Sequence, residues 1–206
     1  MISIDKWLPD IYLGAPGVPE AVARHYIAQT LGDFATRTQA VHRLYTVDIE
    51  PGVPDYYFAE AIPENHELIA LTSYRYAGQE HQLDRPETDK CALSCGTRTA
   101  HYNPIDRSIW FSSHPTQMYP GGLVLRLAVA PTVEATEVDP ILWNRYQLAI
   151  VHGTLARLQA LVGYAWSSMP GSRSQMTAYH AACNAGKLSA IVDHSTRSLR
   201  IRRGNV

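Results

Sequence analysis

The chain has 206 residues, of which 46% are hydrophobic and 18% charged, and these values argue against both disorder and membrane residence. Its 18 lysines and arginines against 19 aspartates and glutamates give a net charge of -1, which disfavours a protein that wraps nucleic acid over a broad surface. Three cysteines in a chain long enough to bury a real core predict a reducing cytosol rather than a disulfide scaffold. Neither a secretion signal nor a stretch of about 20 apolar residues is evident, so no membrane association is expected.

The first forty residues predict a short helix, a turn and a long helix. Residues 4–12 are amphipathic, and two glycines and two prolines then interrupt the pattern. Pro19 suits a helix start, and apolar residues recur at helical spacing from Glu20 to about Arg37. Residues 1–40 therefore predict one half of a helical frame.

Residues 41–130 predict a β-rich insertion, because β-branched and aromatic runs alternate with turn formers such as Pro51-Gly52. The run 122–130 is almost continuously apolar, as in a central strand. Residues 79–94 mix charged and apolar types and predict a long loop with at most a short strand. The six strand candidates are 43–49, 56–62, 67–76, 97–103, 108–113 and 122–130. Their short spacing indicates an antiparallel sandwich or barrel.

The helical period returns after Pro131. Asp139 followed by Pro140 predicts a capped helix start. Gly153 and Ala156 would let a partner helix approach a stripe of apolar residues. That stripe consists of Leu148, Val151, Leu155, Leu158 and Val162.

A final helix is predicted from about Ser174, with a kink or a tight crossing at Gly186. The expected fold class is α+β: a four-helix-type helical frame, an antiparallel β sandwich or barrel insertion and an extended C-terminal tail. The frame comprises residues 1–40 and 131–194, the insertion residues 41–130 and the tail residues 195–206.

Metal and catalytic sites are both disfavoured by the spacing of the candidate residues. Three residues rather than two separate Cys91 from Cys95, so the zinc hypothesis built on them with His81, His101 and His114 is weak. No G-x-S-x-G elbow, HExxH helix or phosphate-binding glycine loop is present. His152 could act as a general base, but a histidine in mid-helix is more often a partly buried packing residue. We expect no catalytic residue, metal or cofactor.

The aromatic residues of the insertion predict a protein interface. Adjacent aromatics in a strand point to opposite faces, so Tyr56-Tyr57 and Trp110-Phe111 should each place one ring in the core and one outside. Tyrosine and tryptophan on the outer face favour a protein partner. A carbohydrate-binding platform is the alternative.

The C-terminal tail is a second candidate for partner binding. Leu199 and Ile201 alternate with Arg200, Arg202 and Arg203, a pattern that could contact phosphates or add as a strand to a partner. A frayed terminus with no partner is the simpler alternative.

The order of these pieces resembles the head-to-tail adaptor, or connector, family of tailed bacteriophages, typified by tail tubular protein A. Residues 8–38 carry a Leu-Pro segment, a P-G-x-P turn and a helix ending in Asp33, Phe34 and Arg37. The matches continue in VDIEPGVPDYYF, LRLAVAP, IVHGTLARLQALVG and YHAACNAGKLSAI. The third of these contains Arg157 and the last contains Tyr179.

This resemblance implies a virion structural protein rather than an enzyme, made in the bacterial host cytoplasm. Such adaptors form a ring, typically dodecameric, between the portal protein and the tail nozzle or tail tube protein. DNA then passes transiently through the channel. The resemblance also implies that the C-terminal tail reaches toward the portal. A receptor- or carbohydrate-binding virion module and an enzyme of unknown type remain the alternatives.

Overall fold

A computed structural model describes residues 1–82, 91–95, 98–112 and 115–194. The chain is α+β. It begins with β1 (Ile2–Ser3), a 3-10 turn (Ile4–Trp7), α1 (Leu8–Gly14) and α2 (Glu20–Thr38). Eight strands follow: β2 (His42–Ile49), β3 (Asp55–Tyr57), β4 (His66–Tyr76), β5 (Gln79–Gln82), β6 (Cys91–Cys95), β7 (Arg98–Asn103), β8 (Ser108–Phe111) and β9 (Tyr119–Pro131). The described chain ends with β10 (Glu137–Val138), α3 (Pro140–Gln159) and α4 (Met169–His194).

The strands form two four-stranded antiparallel sheets and one small pair. The first sheet has the order β2-β9-β4-β5 and the second the order β3-β8-β7-β6. The apolar strand β9 lies between two neighbours, which confirms the central position predicted from its composition. β1 pairs with β10 and so joins the N-terminus to the segment that leads into α3.

Two features of the insertion were predicted wrongly. Residues 79–94 contain β5 and part of β6 rather than a loop with at most one short strand. β5 is polar, and it belongs to the sheet because its backbone pairs with β4, which requires no apolar side chain. The candidate strand 56–62 is strand only up to Tyr57, and a 3-10 turn follows at Ala59–Ala61.

The helices meet each other and β9 in one core. Gly32 of α2 lies against the chain at Pro131, where an added Cβ would be 2.7 Å from the Pro131 carbonyl oxygen. Gly153 of α3 lies equally close to α4, since its Cβ would be 2.7 Å from the Tyr179 ring. The small residue at position 153 therefore allows the close helix approach that was predicted for it.

The helix boundaries agree in part with the prediction. Asp139 caps α3 as expected, with its Oδ1 accepting from the Ile141 amide at 2.9 Å. The apolar stripe was wrong at both ends, because Leu148 and Val162 are exposed. α3 ends at Gln159, so Val162 does not belong to its apolar face, and Leu148 lies within the helix but is not covered by any element that the structure describes.

The last helix, α4, starts at Met169 rather than near Ser174. Gly186 is a tight crossing, as an added Cβ would be 3.0 Å from Thr38 Cγ2 and 3.2 Å from Phe34 Cζ. This contact brings the second half of α4 against the end of α2.

Candidate functional site

The outer side of the second sheet carries the exposed aromatics that the alternation predicted. Tyr57 is 68% exposed and Trp110 41%, whereas Tyr56 and Phe111 are buried. Each adjacent pair therefore divides between the core and the surface, as expected for strands. We call Tyr57, Trp110, Asp55 and His101 the aromatic face.

Pairing across three strands brings the members of the aromatic face together. Asp55 of β3 and His101 of β7 both lie opposite Trp110 of β8. The His101 ring stacks on the indole with centroids 3.9 Å apart and planes 11° apart. One side of the indole is thus covered within the chain, and the exposed edge with Tyr57 forms a surface suited to a protein partner.

The inner side of the same sheet packs on the first sheet through rings. Phe111 lies 4.6 Å from Tyr76 and 6.0 Å from Tyr74 of β4, measured between ring centroids. Within the second sheet, Tyr102 of β7 stacks with Phe58, the residue that follows β3, at 6.2 Å. Burial raises the pKa of Tyr102 to about 12, and its hydroxyl has no hydrogen-bond partner within the described part of the chain. This contact therefore depends on ring packing rather than on polar bonds.

A second exposed apolar surface lies at one end of the helices. We call it the uncharged tip, because the two segments that form it, 11–19 and 158–172, contain no Asp, Glu, Lys or Arg. Exposed side chains of Leu13, Val162, Tyr164 and Met169 belong to it, and Leu13 and Val162 are 85% and 84% exposed. Exposed large apolar side chains on two contacting segments that carry no charged residue are typical of an interaction surface.

The two segments of the uncharged tip are held together by specific contacts. Gln159 Nε2 donates to the Gly14 carbonyl oxygen at 3.2 Å, and an added Cβ on Gly14 would be 2.5 Å from Leu155 Cδ1. Tyr164 and Trp166 stack with centroids 4.7 Å apart, and the Ser167 hydroxyl accepts from the Tyr164 amide. These contacts fix the two segments against each other and hold the Tyr164 ring in place, which lowers the entropic cost of binding a partner there.

The three long helices are joined by a polar cluster around Asp33 of α2, which we call the Asp33 cluster. Asp33 Oδ2 accepts from Arg157 of α3 and from the Tyr179 hydroxyl of α4, each at 2.8 Å. Its Oδ1 accepts from Arg37 at 2.7 Å. Arg157 also donates to Thr30 at 3.2 Å, and its guanidinium lies 5.4 Å from the centre of the Tyr179 ring.

Electrostatics in the Asp33 cluster favour the charged form of the carboxylate. Burial raises the pKa of Asp33, but hydrogen bonds from Arg37, Tyr179 and Arg157 outweigh burial, so the net pKa is lowered. Burial raises the pKa of the Tyr179 hydroxyl, and its hydrogen bond to Asp33 raises it further. The cluster is built to hold helices and offers no group that exchanges a proton near neutral pH.

The sequence did not identify the Asp33 cluster as a unit. Asp33, Arg37, Arg157 and Tyr179 were singled out only as parts of the family resemblance, in three separate segments. The structure brings them within hydrogen-bond distance. The spacing of Asp33 and Arg37 by four residues was the one local signal for the pair that they form.

The other catalytic and metal-binding candidates form no site within the described part of the chain. His152 is half-buried, and its Nδ1 contacts the amide oxygen of Gln175 rather than a carboxylate. No three His, Cys, Asp or Glu residues within 1–82, 91–95, 98–112 and 115–194 are grouped to hold a metal. The side chains of His81, Cys91 and Cys95, and the whole of His114, lie outside what the structure describes. The same is true of the tail candidates Leu199, Arg200, Ile201, Arg202 and Arg203.

Comparison with protein-family models finds no match for the chain, and comparison with curated proteins finds none. Within the part of the chain that the structure describes, no helix is both long enough and apolar enough to cross a bilayer.

Proposed function

We propose that this chain is a virion structural protein, a head-to-tail adaptor of a tailed bacteriophage that forms a ring, as a dodecamer, between portal and tail. The observation that carries the proposal is the presence of two unlike exposed apolar surfaces, the uncharged tip and the aromatic face. An adaptor between two different assemblies needs two different surfaces on each subunit, here one for the portal and one for the neighbouring subunit or the tail. The resemblance of residues 8–38 and 150–163 to adaptor segments supports the same function.

In this proposal the helical segments 1–40 and 131–194 form a four-helix-type frame, and residues 41–130 form an antiparallel sandwich inserted into it. Ring contacts such as that of Phe111 with Tyr76 support a face-to-face arrangement of the two sheets. The aromatic face then contacts the next subunit or the tail nozzle or tail tube protein. The uncharged tip of the frame, together with the tail residues 199–203, contacts the portal.

Subunit interfaces would supply all the binding energy, and no reaction would be catalysed. The near-neutral net charge of -1 suits a channel through which DNA passes transiently, because a strongly basic lumen would retain the phosphates. Neither a cofactor nor a membrane takes part. The protein would be made in the bacterial host cytoplasm and would reside in the virion.

Electron microscopy of the cognate portal protein mixed with this chain tests the proposal. We expect an added ring on the portal, and a Val162→Asp variant should lose it because a buried unpaired carboxylate at the interface is costly. Glu137→Gln, on a strand away from the tip, is the control. A portal that gains no ring from the unmodified chain would overturn the proposal.

A receptor- or carbohydrate-binding virion module is the second candidate, favoured by the exposed Tyr57 and Trp110 beside Asp55. Aromatic rings with a nearby carboxylate can bind a sugar through its apolar face and its hydroxyls. Binding of the full chain on a glycan array, lost in Trp110→Ala and accompanied by no affinity for the portal, would favour this candidate.

A further inference from the structure

We propose that the aromatic face binds an arginine side chain of a protein partner, with the guanidinium held against the Trp110 indole and paired with the Asp55 carboxylate. The inference rests on the proposed role of this face as a protein contact, and it names the chemical group that the face receives. Three features of the molecule support it: the orientation of the indole, the spacing of the residues beside it and the charge that borders it.

The Trp110 indole stands upright on the sheet and turns its second face toward β3. His101 lies directly opposite on β7, and the two rings stack with centroids 3.9 Å apart and planes 11° apart. Because neighbouring strands are about 4.8 Å apart, such a stack places both ring planes across the line that joins the strands. His101 covers one indole face, so the 41% exposure of Trp110 belongs to the ring edge and to the face directed at β3.

The residues of β3 and β8 leave room for a flat group beside this indole face. Asp55 lies directly opposite Trp110, and Tyr57 lies directly opposite Ser108. The two large rings therefore occupy diagonal corners of a four-residue block, and the smaller side chains occupy the other two. Diagonal positions on neighbouring strands are about 7–8 Å apart, close to twice the contact distance of about 3.5 Å between stacked atoms. A planar group can thus enter between the rings.

Asp55 gives this space a preference for a cation. Strand alternation places six described residues of β3, β7 and β8 on the outer face: Asp55, Tyr57, His101, Asn103, Ser108 and Trp110. None of the six is lysine or arginine, and Asp55 is the only acid. Asp55 is exposed, and it forms no salt bridge within the described part of the chain. A carboxylate without an intrachain cation attracts a cationic group from a partner.

Arginine matches this combination of groups better than lysine or a sugar does. Its guanidinium is planar, stacks on an indole and donates to a carboxylate in its own plane. A lysine ammonium is compact and strongly hydrated, and it does not stack as a plane. Sugar hydroxyls require both donors and acceptors, whereas an ionised carboxylate only accepts.

Titration of the isotope-labelled full chain without portal protein, followed by NMR, tests the inference. The probe is N-acetyl-arginine N-methylamide, which presents the side chain as a peptide does. We expect saturable shifts of the Trp110 indole N–H and of the Asp55 and Tyr57 amides. The citrulline analogue has nearly the same shape without the charge and should bind at least about fivefold more weakly. The lysine analogue should bind about threefold more weakly than the arginine probe.

Two variants of the aromatic face and one control locate the binding. Asp55→Asn removes the paired charge, and Trp110→Leu removes the ring that the guanidinium stacks on; each should weaken binding of the arginine probe about fivefold. Glu67→Gln also removes one negative charge, from an exposed position on β4 outside the aromatic face, and should bind like the unmodified chain. Unchanged amide shifts away from β3, β7 and β8 show that each variant is folded.

The inference is overturned if the arginine probe causes no saturable shift at Trp110, or if it binds Asp55→Asn as tightly as the unmodified chain. Equal affinity for the arginine and citrulline probes would also contradict it. Tighter binding of free arginine than of the capped probe would assign the site to a free amino acid. Shifts caused by methyl α-glucoside and not by the arginine probe would assign the face to carbohydrate. Portal protein is absent throughout, so these failures are distinguishable from failure to form a ring.

Discussion

Tyr179 and Tyr102 are both buried tyrosines, but the contacts that hold them differ. The Tyr179 hydroxyl donates to Asp33 at 2.8 Å and connects α4 to α2. The Tyr102 hydroxyl has no such partner among the described residues, and its ring stacks on Phe58. A directional polar bond thus links α4 to α2, whereas Tyr102 is held by ring packing within the second sheet, and ring packing of Phe111 on Tyr76 joins that sheet to the first.

This difference bears on what each region can tolerate. Removing a polar partner in the Asp33 cluster leaves a buried group unsatisfied, which costs more than the bond contributes. Removing ring volume between the sheets leaves a cavity. The helices should therefore be sensitive to loss of polar groups, and the sheets to loss of volume.

The largest effect is expected from Phe111→Ala, which empties the space between the sheets. The free energy of unfolding should fall by about 3–5 kcal/mol, measured by denaturant titration. Trp110→Ala, its neighbour on the opposite face, should cost about 1 kcal/mol or less because the indole is exposed. Equal losses at the two positions would contradict the assignment of the inner and outer faces.

A smaller effect is expected from removing single hydroxyl groups. Tyr179→Phe should lower the free energy of unfolding by about 1.5–3 kcal/mol, because the hydroxyl donates to a charged carboxylate. Tyr102→Phe should change it by less than about 0.5 kcal/mol, since no partner loses a bond. If both variants lose the same stability, the contrast between the two regions does not hold.

The smallest effect is expected from acid. The pKa of Asp33 is lowered in the folded chain, so its contribution is present above the unfolded pKa of about 3.9 and is lost as pH falls through the folded pKa. Between pH 5 and pH 2, stability of the unmodified chain should fall more steeply than that of Asp33→Asn, by about 1 kcal/mol. If the free energy of unfolding changes with pH in the same way in both proteins, the pKa of Asp33 is not lowered by folding.

Local patterns predicted much of the secondary structure. The proline at position 19, the Asp139-Pro140 cap and the apolar run of β9 each identified an element with boundaries close to those observed. Alternation also predicted that each aromatic pair divides between the core and the surface, whereas the structure decided which ring is exposed. These signals succeed because capping and strand alternation act over a few neighbouring residues.

The wrong predictions concern positions whose structure is not determined by the residues next to them in sequence. β5 has a polar sequence and is a strand through backbone pairing with β4, which no side-chain pattern reveals. Leu148 fits the apolar stripe by its spacing, but it is 70% exposed because no element in the described part of the chain covers it, and spacing does not show which positions are covered. Val162 lies beyond the end of α3 and is part of the uncharged tip instead.

The sequence by itself determined the alternation of helical and strand segments, the α+β class and the pairs of aromatic residues that divide between core and surface. Only the tertiary structure decided that Asp33 meets Arg157 and Tyr179, which lie 124 and 146 residues away along the chain. The tertiary structure also decided that Leu13 lies beside the segment that carries Val162, because Gln159 donates to the Gly14 carbonyl oxygen. Periodicity records which face of an element is apolar, whereas the identity of its partner depends on how distant elements pack.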